Sequence, residues 1–322
     1  MKWNKIRVYS VLLVAGLAYT ASQAAVLDNG SLPDGSNWYV HVNLELIRNT
    51  DAGQQLMIGT VDEALEDIAE ELGVDFGEFV QAVTLFGGSI PDSNDRLNDG
   101  AVVLHGAISE ADQQKLLARL ELEDAEVSTA YEGSLAWYTV AEHSGTMTTT
   151  DEDGNTEIKS WGNNEELYFS FGATQTLVTH NQELMQTFVN SNGYLGGFEN
   201  NDAGALVVLH ADRALMQGGA NTSIDIDDQW DSSILKNLSS VALVVAEQSG
   251  GIQISVELSA ASEEAAMSIR NIAEGLVALK ALEGGDDVIG DLLRQVKFEN
   301  DGSILRVNVA VAADQIGELK DL

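Results

Sequence analysis

Two histidines lie 169 positions apart, His41 in HVNLELI (41–47) and His210 in HADRALM (210–216), and their type and spacing could do chemistry. If the second stretch copies the first, Asn43 meets Asp212, Leu46 meets Leu215 and Ile47 meets Met216. Each histidine then holds the same place in its copy. A symmetric pair of imidazoles could act as acid–base groups or metal ligands. The H-E-x-x-H pattern of a helical zinc site is absent, so the first reading is of two strand histidines bonded locally. Both remain candidate ligand-surface residues. His105, His143 and His180 are single and read as ordinary.

Asp151, Asp153, Asn155 and Glu157, in DEDGNTE, alternate oxygen ligands around a glycine turn. That arrangement suits calcium, a hard cation taking oxygen donors. It is not the spacing of an EF-hand loop. A solvated hairpin tip favours the same residues, because Asp, Gly and Asn all suit tight turns. Asp225, Asp227, Asp228 and Asp231, in SIDIDDQWD, carry the same two readings. No cofactor is expected beyond such a calcium ion.

Nucleophile chemistry has little to stand on. The chain has no G-x-S-x-G elbow and no P-loop. The glycines of FGGS (86–89) and GYLGG (193–197) read as strand ends and loops. Carboxylate pairs abound, so a glycosidase-type pair can be neither located nor dismissed. Trp38, Trp137 and Trp161 could stack on a ligand. At the 169-residue offset Trp137 falls opposite Arg306 and Tyr138 opposite Val307. That pattern turns Tyr138 inward and Trp137 outward, making Trp137 the candidate surface aromatic.

The chemistry sits on a strongly acidic chain. Among 322 residues, 51 are Asp or Glu and 16 are Lys or Arg, a formal net charge of −35. Such a surface repels nucleic-acid phosphates and anionic lipid and attracts cations or basic partners. It suits a salty medium, where screening weakens self-repulsion. There is no cysteine, which removes disulfides, thiolate metal sites and lipidated cysteines.

The first residues, MKWNKIRVYSVLLVAGLAYTASQAAV, have the layout of a secretory signal peptide. Lys2, Lys5 and Arg7 precede a short apolar run, and Ser22-Gln23-Ala24 offers a cleavage site. No later stretch is apolar for long enough to span a membrane as a helix. The expectation is a periplasmic or secreted protein.

A second match shares the offset. EGSLAWYTVA (132–141) and DGSILRVNVA (301–310) agree at Gly133/Gly302, Ser134/Ser303, Val140/Val309 and Ala141/Ala310. Two matches at one offset argue for duplication of a unit the size of a small domain. In the first copy YVHVNL alternates as a strand, and Ile58, Val61, Leu65, Ile68 and Leu72 form a helical stripe ended by Gly73. FVQAVTLFGG and GAVVLHGAI read as strands, and Ser109 with Asp112 starts a helix whose Leu116, Leu117 and Leu120 face the core. STAYEGSLAWYTVAE closes the copy as a hairpin. In the second copy ALVVLHAD is a strand, and SVALVVAE and GIQISVELS form a hairpin around Ser249-Gly250-Gly251. The next helix carries Ala265, Ile269, Ile272, Leu276 and Leu279, an extra short helix covers Val288–Gln295, and VKFENDGSILRVNVA is the closing hairpin.

This βαββαβ order predicts an α+β fold of two duplicated ferredoxin-like sandwich units with antiparallel sheets and an inserted β-hairpin segment. The expected divisions are a signal peptide over 1–24, a first unit over 25–144, a connecting segment over 145–202, and a second unit over 203–322. In the connecting segment, TMTTTDEDGNTEIKSW reads as a polar hairpin, LYFSFGA and TLVTHN as strands, and Asn181 as a helix cap.

On these features the chain resembles uncharacterised exported proteins of Gram-negative bacteria, acidic and built from duplicated α+β units. The resemblance implies no catalytic residue. The function expected first is an exported, soluble, non-catalytic protein binding a protein partner or extracellular ligand. The alternatives are an exported hydrolase using carboxylates and histidine, and a structural or matrix protein with calcium-stabilised acidic loops.

Overall fold

A computed structural model describes residues 33, 35–57, 69, 74–88, 100–122, 126–132, 135–141, 145–150, 156–161, 166–196, 205–212, 237–248, 250–283 and 288–319. In chain order the elements begin with β1 (Trp38–Val42), α1 (Leu44–Asn49), α2 (Asp51–Met57), α3 (Phe76–Phe79), β2 (Ala82–Gly87) and β3 (Gly100–His105). Then come α4 (Glu110–Leu122), β4 (Glu126–Glu132), β5 (Leu135–Ala141), β6 (Gly145–Thr150), β7 (Thr156–Trp161), β8 (Glu166–Phe171), β9 (Gln175–Thr179) and α5 (Gln182–Asn190). The rest are β10 (Ala205–Asp212), β11 (Leu238–Gln248), β12 (Gly251–Ala260), α6 (Glu263–Glu283), α7 (Val288–Gln295), β13 (Lys297–Asp301), β14 (Ile304–Val311) and α8 (Ala313–Leu319). The fold is mixed α and β, with antiparallel sheet throughout.

Local chemistry sets the helix starts. The Asn43 side chain accepts from the Leu46 N–H at 2.9 Å, and that of Asn181 accepts from the Leu184 N–H at 3.1 Å, each satisfying a donor the first turn leaves open. Ser109 accepts from the Asp112 N–H at 3.2 Å and donates its hydroxyl to the Asp112 carboxylate at 2.6 Å. Hydrogen bonds from Lys115 and Ser109 hold the Asp112 carboxyl below its usual range. The β11–β12 and β13–β14 hairpins turn at Gly250 and Gly302, both with positive φ, where glycine bears no steric penalty. The predicted stripe from Ile58 to Leu72 lies outside the described residues.

The chain divides into two compact units. The first comprises Met1–Ala64, Gln81–Gly100 and Gly196–Leu322, with strand order β13-β14-β12-β11-β10-β1-β2. The inner side of α6 closes a core of Leu238, Ala260, Ala266, Ile269 and Leu305, against which Phe298 and Val307 pack. The second unit comprises Leu65–Val80 and Ala101–Leu195, with strand order β3-β9-β8-β5-β4. There α5 buries Leu184, Met185, Phe188 and Val189, and Tyr138, Phe169 and Phe171 form an aromatic cluster. Gly172 must be glycine: a Cβ there would stand 2.1 Å from the Gly193 carbonyl oxygen.

Strand pairing departs from the ferredoxin-like order. In that fold the two strands flanking the first helix are separated by a third strand. Here β10 pairs directly with β11, which pairs with β12, and β12 with β14, an antiparallel run that keeps most chain neighbours together. The second unit differs again. Its closing hairpin β4–β5 meets β8, and the β8–β9 hairpin stands between β5 and β3. Strands β6 and β7 pair separately, from Gly145↔Trp161 to Thr150↔Thr156.

The register of β1 on β10 has an exchange symmetry. Trp38 pairs with Ala211, Tyr39 with His210, Val40 with Leu209, His41 with Val208 and Val42 with Val207. Swapping each residue for the one 169 positions away maps the ladder onto itself, centred on Val40 and Leu209. The end bonds obey the same exchange: Asn43 N–H to Leu206 O at 2.9 Å, and Asp212 N–H to Asn37 O at 2.7 Å.

Candidate functional site

The two histidines reach one face of the first unit's sheet. Alternation along β1 points Tyr39 and His41 the same way, and the register places His210 directly opposite Tyr39. The Tyr39 and His210 rings stack with centroids 5.6 Å apart. On the other side of β1, Thr84 stands opposite His41, and its Oγ1 lies 2.8 Å from the imidazole Nδ1. His210 uses its Nε2 on the Asp212 carboxylate, two residues along its own strand, at 3.0 Å.

Both imidazoles are buried, His41 with 6% and His210 with 5% of its surface exposed. Burial pushes the His41 pKa down to about 4, because the charged form would lose its hydration. At neutral pH that ring is therefore uncharged and a weak base. Thr84 is fully buried, so its hydroxyl is out of reach of a substrate. The His41–Thr84 pair thus resembles a nucleophile and its base in type but lacks access. His210 and Asp212 supply a hydrogen-bonded imidazole and carboxylate with a tyrosine ring against them.

Two cross-strand rows continue this polar face. One runs Thr84, His41, Val208, Val244, Ser255, Asn308, and the other Phe86, Tyr39, His210, Ala242, Glu257, Arg306. The Ser255 hydroxyl bonds the Asn308 side-chain carbonyl, both residues buried. Glu257 meets Arg306 at 2.9 Å, and Asp301 lies 3.7 Å from the same guanidinium. Gln253, Ser255, Glu257 and Ser259 share one face of β12 by alternation. In the folded chain Ser255 is buried and the other three are half-buried. Tyr39, Thr84, Ser255 and Asn308 belong to this group without having been singled out in sequence, since cross-strand register alone makes them neighbours.

Trp137 faces inward, contrary to the outward place its repeat position predicts. It is buried, 9% exposed, beside the Tyr168 ring at 6.2 Å, while Tyr138 is the half-buried neighbour stacked on Phe169. The physical reason is β8. The counterpart Arg306 lies between β12 and β13, whereas Trp137 faces Ser170 of β8 and inherits a different environment. Burial first, then the hydrogen bond to Glu166, pushes the neighbouring Tyr168 phenol up to about 12. Trp38 is buried as well. His180 lies with its Nδ1 3.0 Å from the Glu166 carbonyl oxygen.

The calcium candidate straddles the described boundary. Asp151, Asp153 and Asn155 lie outside the described residues. Glu157 lies on β7, opposite Thr149. Asp225, Asp227, Asp228 and Asp231 also lie outside. Among the described residues no group of three or more His, Cys, Asp or Glu is placed to hold a metal ion. No described helix is long and apolar enough to cross a membrane.

Part of the apolar row of α6 is exposed. Of its evenly spaced apolar residues, Ile269 is buried and Ala265 half-buried, but Ile272, Leu276 and Leu279 are 45%, 39% and 53% exposed. Leu282 and, on α7, Ile289 extend the exposed apolar surface.

No family model matches the chain, and no curated protein matches it. Among solved structures it is similar to crystal form IV of TP0453, at 12% identity and TM-score 0.44, covering 92% of this chain and 98% of that one. Crystal form III of the same protein gives 11% identity and TM-score 0.43, covering 92% and 99%. These likenesses are too remote to carry a functional residue across.

Proposed function

We propose that the chain is an exported, non-catalytic protein that binds a partner through the outer face of α6, and that it arose by duplication of a strand–helix unit. The observation that carries the binding reading is the exposed row Ile272, Leu276 and Leu279 on a chain of net charge −35. Acidic chains are kept in solution by their charge, and clustered exposed apolar side chains on them mark a surface that another molecule covers. The signal-like first 24 residues and the lack of cysteine support export. The duplication is supported by two sequence matches at one offset and by a β1–β10 register that obeys the same offset.

The test is capture in the native host. The chain carries a C-terminal tag, is crosslinked, and its companions are identified by mass spectrometry, counting either another protein or a differently tagged copy. A companion held by the parent chain and lost from a Leu276→Glu, Leu279→Glu variant is the expected result. The reading falls if the parent chain holds nothing above an untagged control.

A further inference from the structure

We infer that β4 is a docking edge, whose outer side takes a basic, extended segment of another protein as the next strand of the second unit's sheet. The inference is independent of the α6 face.

Position is the first ground. Strand β4 ends the order β3-β9-β8-β5-β4 and, among the described residues, pairs with β5 alone, without a bulge from Glu126↔Ala141 to Glu132↔Leu135. Ser128, Thr129, Ala130 and Tyr131 are exposed in succession, so neither face of this stretch is covered. Alternation says which backbone groups are open. The Gly172 N–H donates to the Gln175 carbonyl at 2.7 Å, so Ser170 and Tyr168 bond toward β9, and Phe169 and Leu167 toward β5. Their partners Tyr138 and Val140 are thereby used, which leaves Trp137 and Thr139 to bond Ala130 and Ser128. Val127, Thr129 and Tyr131 then direct both N–H and C=O away from the sheet. Such a row is a template for another strand.

Sheet edges are normally guarded by short length, lysine, proline or a bulge. The terminal strand of the first unit, β13, has five residues, with Lys297, Glu299 and Asp301 exposed in alternation along it. Strand β4 has seven residues and none of the other guards.

Charge identifies the occupant. From Leu120 to Ala141 there are five acidic residues, Glu121, Glu123, Asp124, Glu126 and Glu132, and no Lys or Arg. Glu126 and Glu132 hold the first and last places of β4. A second copy laid antiparallel, with Thr129 against Thr129, would set Glu126 against Glu132 at both ends, on chains each of net charge −35, so copies repel. A basic strand turns the same two positions into opposite-charge pairs. The Tyr131 ring, 77% exposed, offers its face to an arginine or lysine directly opposite.

The full chain is titrated into a labelled peptide, KRVTVTK, and binding is read by fluorescence anisotropy at low salt. In antiparallel register its lysines meet Glu126 and Glu132, its arginine meets Tyr131, and its central threonine meets Thr129. The expected result is saturable binding. The peptide KRVPVTK keeps the charge but loses the central N–H donor, and it should bind at least about tenfold more weakly. The acidic peptide EQVTVTE should fail as well. Thr129→Pro in the chain removes an outward donor and keeps the bonds to β5, so it should weaken KRVTVTK similarly while circular dichroism and melting temperature hold. The Leu276→Glu, Leu279→Glu variant should bind the peptide as the parent does, so failure here leaves the α6 reading standing. Absence of saturable binding overturns the inference. Equal binding of KRVPVTK overturns it too, since charge alone would then be at work. Assembly of the chain with itself that Thr129→Pro abolishes also overturns it, by naming a second copy as the occupant.

Discussion

His41 concentrates the residue-scale physics. Its imidazole is buried against the Thr84 hydroxyl and takes up a proton only near pH 4, whereas the unfolded chain does so near 6.5. Between those values the unfolded state holds more protons, so stability falls as pH falls through the window and is unaffected above it. The loss amounts to about 3 kcal/mol by the foot of the window. Urea unfolding at stepped pH should show it, and His41→Gln should flatten that part of the profile; an unchanged slope would remove His41 as its source. Trp137 makes the second prediction at this scale. Replacement by alanine should cost about 3–5 kcal/mol, as for a core aromatic. A surface residue would cost almost nothing, so chemical denaturation separates the two.

At the scale of elements, the caps were legible because they are local. Asn43, Ser109 and Asn181 each precede an apolar helical pattern, and each bonds an N–H three residues on. Asn181→Ala should therefore destabilise the chain by about 1 kcal/mol, read as a lower urea midpoint at constant slope. Asn181→Asp should avoid most of that loss, because a carboxylate accepts the same Leu184 N–H, and equal damage from both would show that the side chain acts otherwise. Hairpins β11–β12 and β13–β14 were legible for a similar reason, a glycine turn between alternating strands. The α6 stripe was legible as periodicity but not as environment. Spacing says which residues share a helix face, and only packing says that Ile269 meets the core while Leu279 meets water.

The whole molecule is governed by its charge. At −35, like charges repel within the compact chain more than in the expanded one. Added sodium chloride should raise the melting temperature, with the gain growing as the screening length falls to about 10 Å and below. A melting temperature that falls with salt would show that attractive ion pairs such as Glu257–Arg306 outweigh the net repulsion.

Composition, alternation, caps and turns are properties of near neighbours along the chain, and they fixed most of the described elements and their order. They also fixed the 169-residue offset, which the β1–β10 register then respects. Which strand lies beside which depends on contacts between residues far apart in sequence, and no local pattern encodes it. That is why β10 lies against β11, why β8 stands beside β5 and buries Trp137, and why Tyr39 and Thr84 became neighbours of the two histidines.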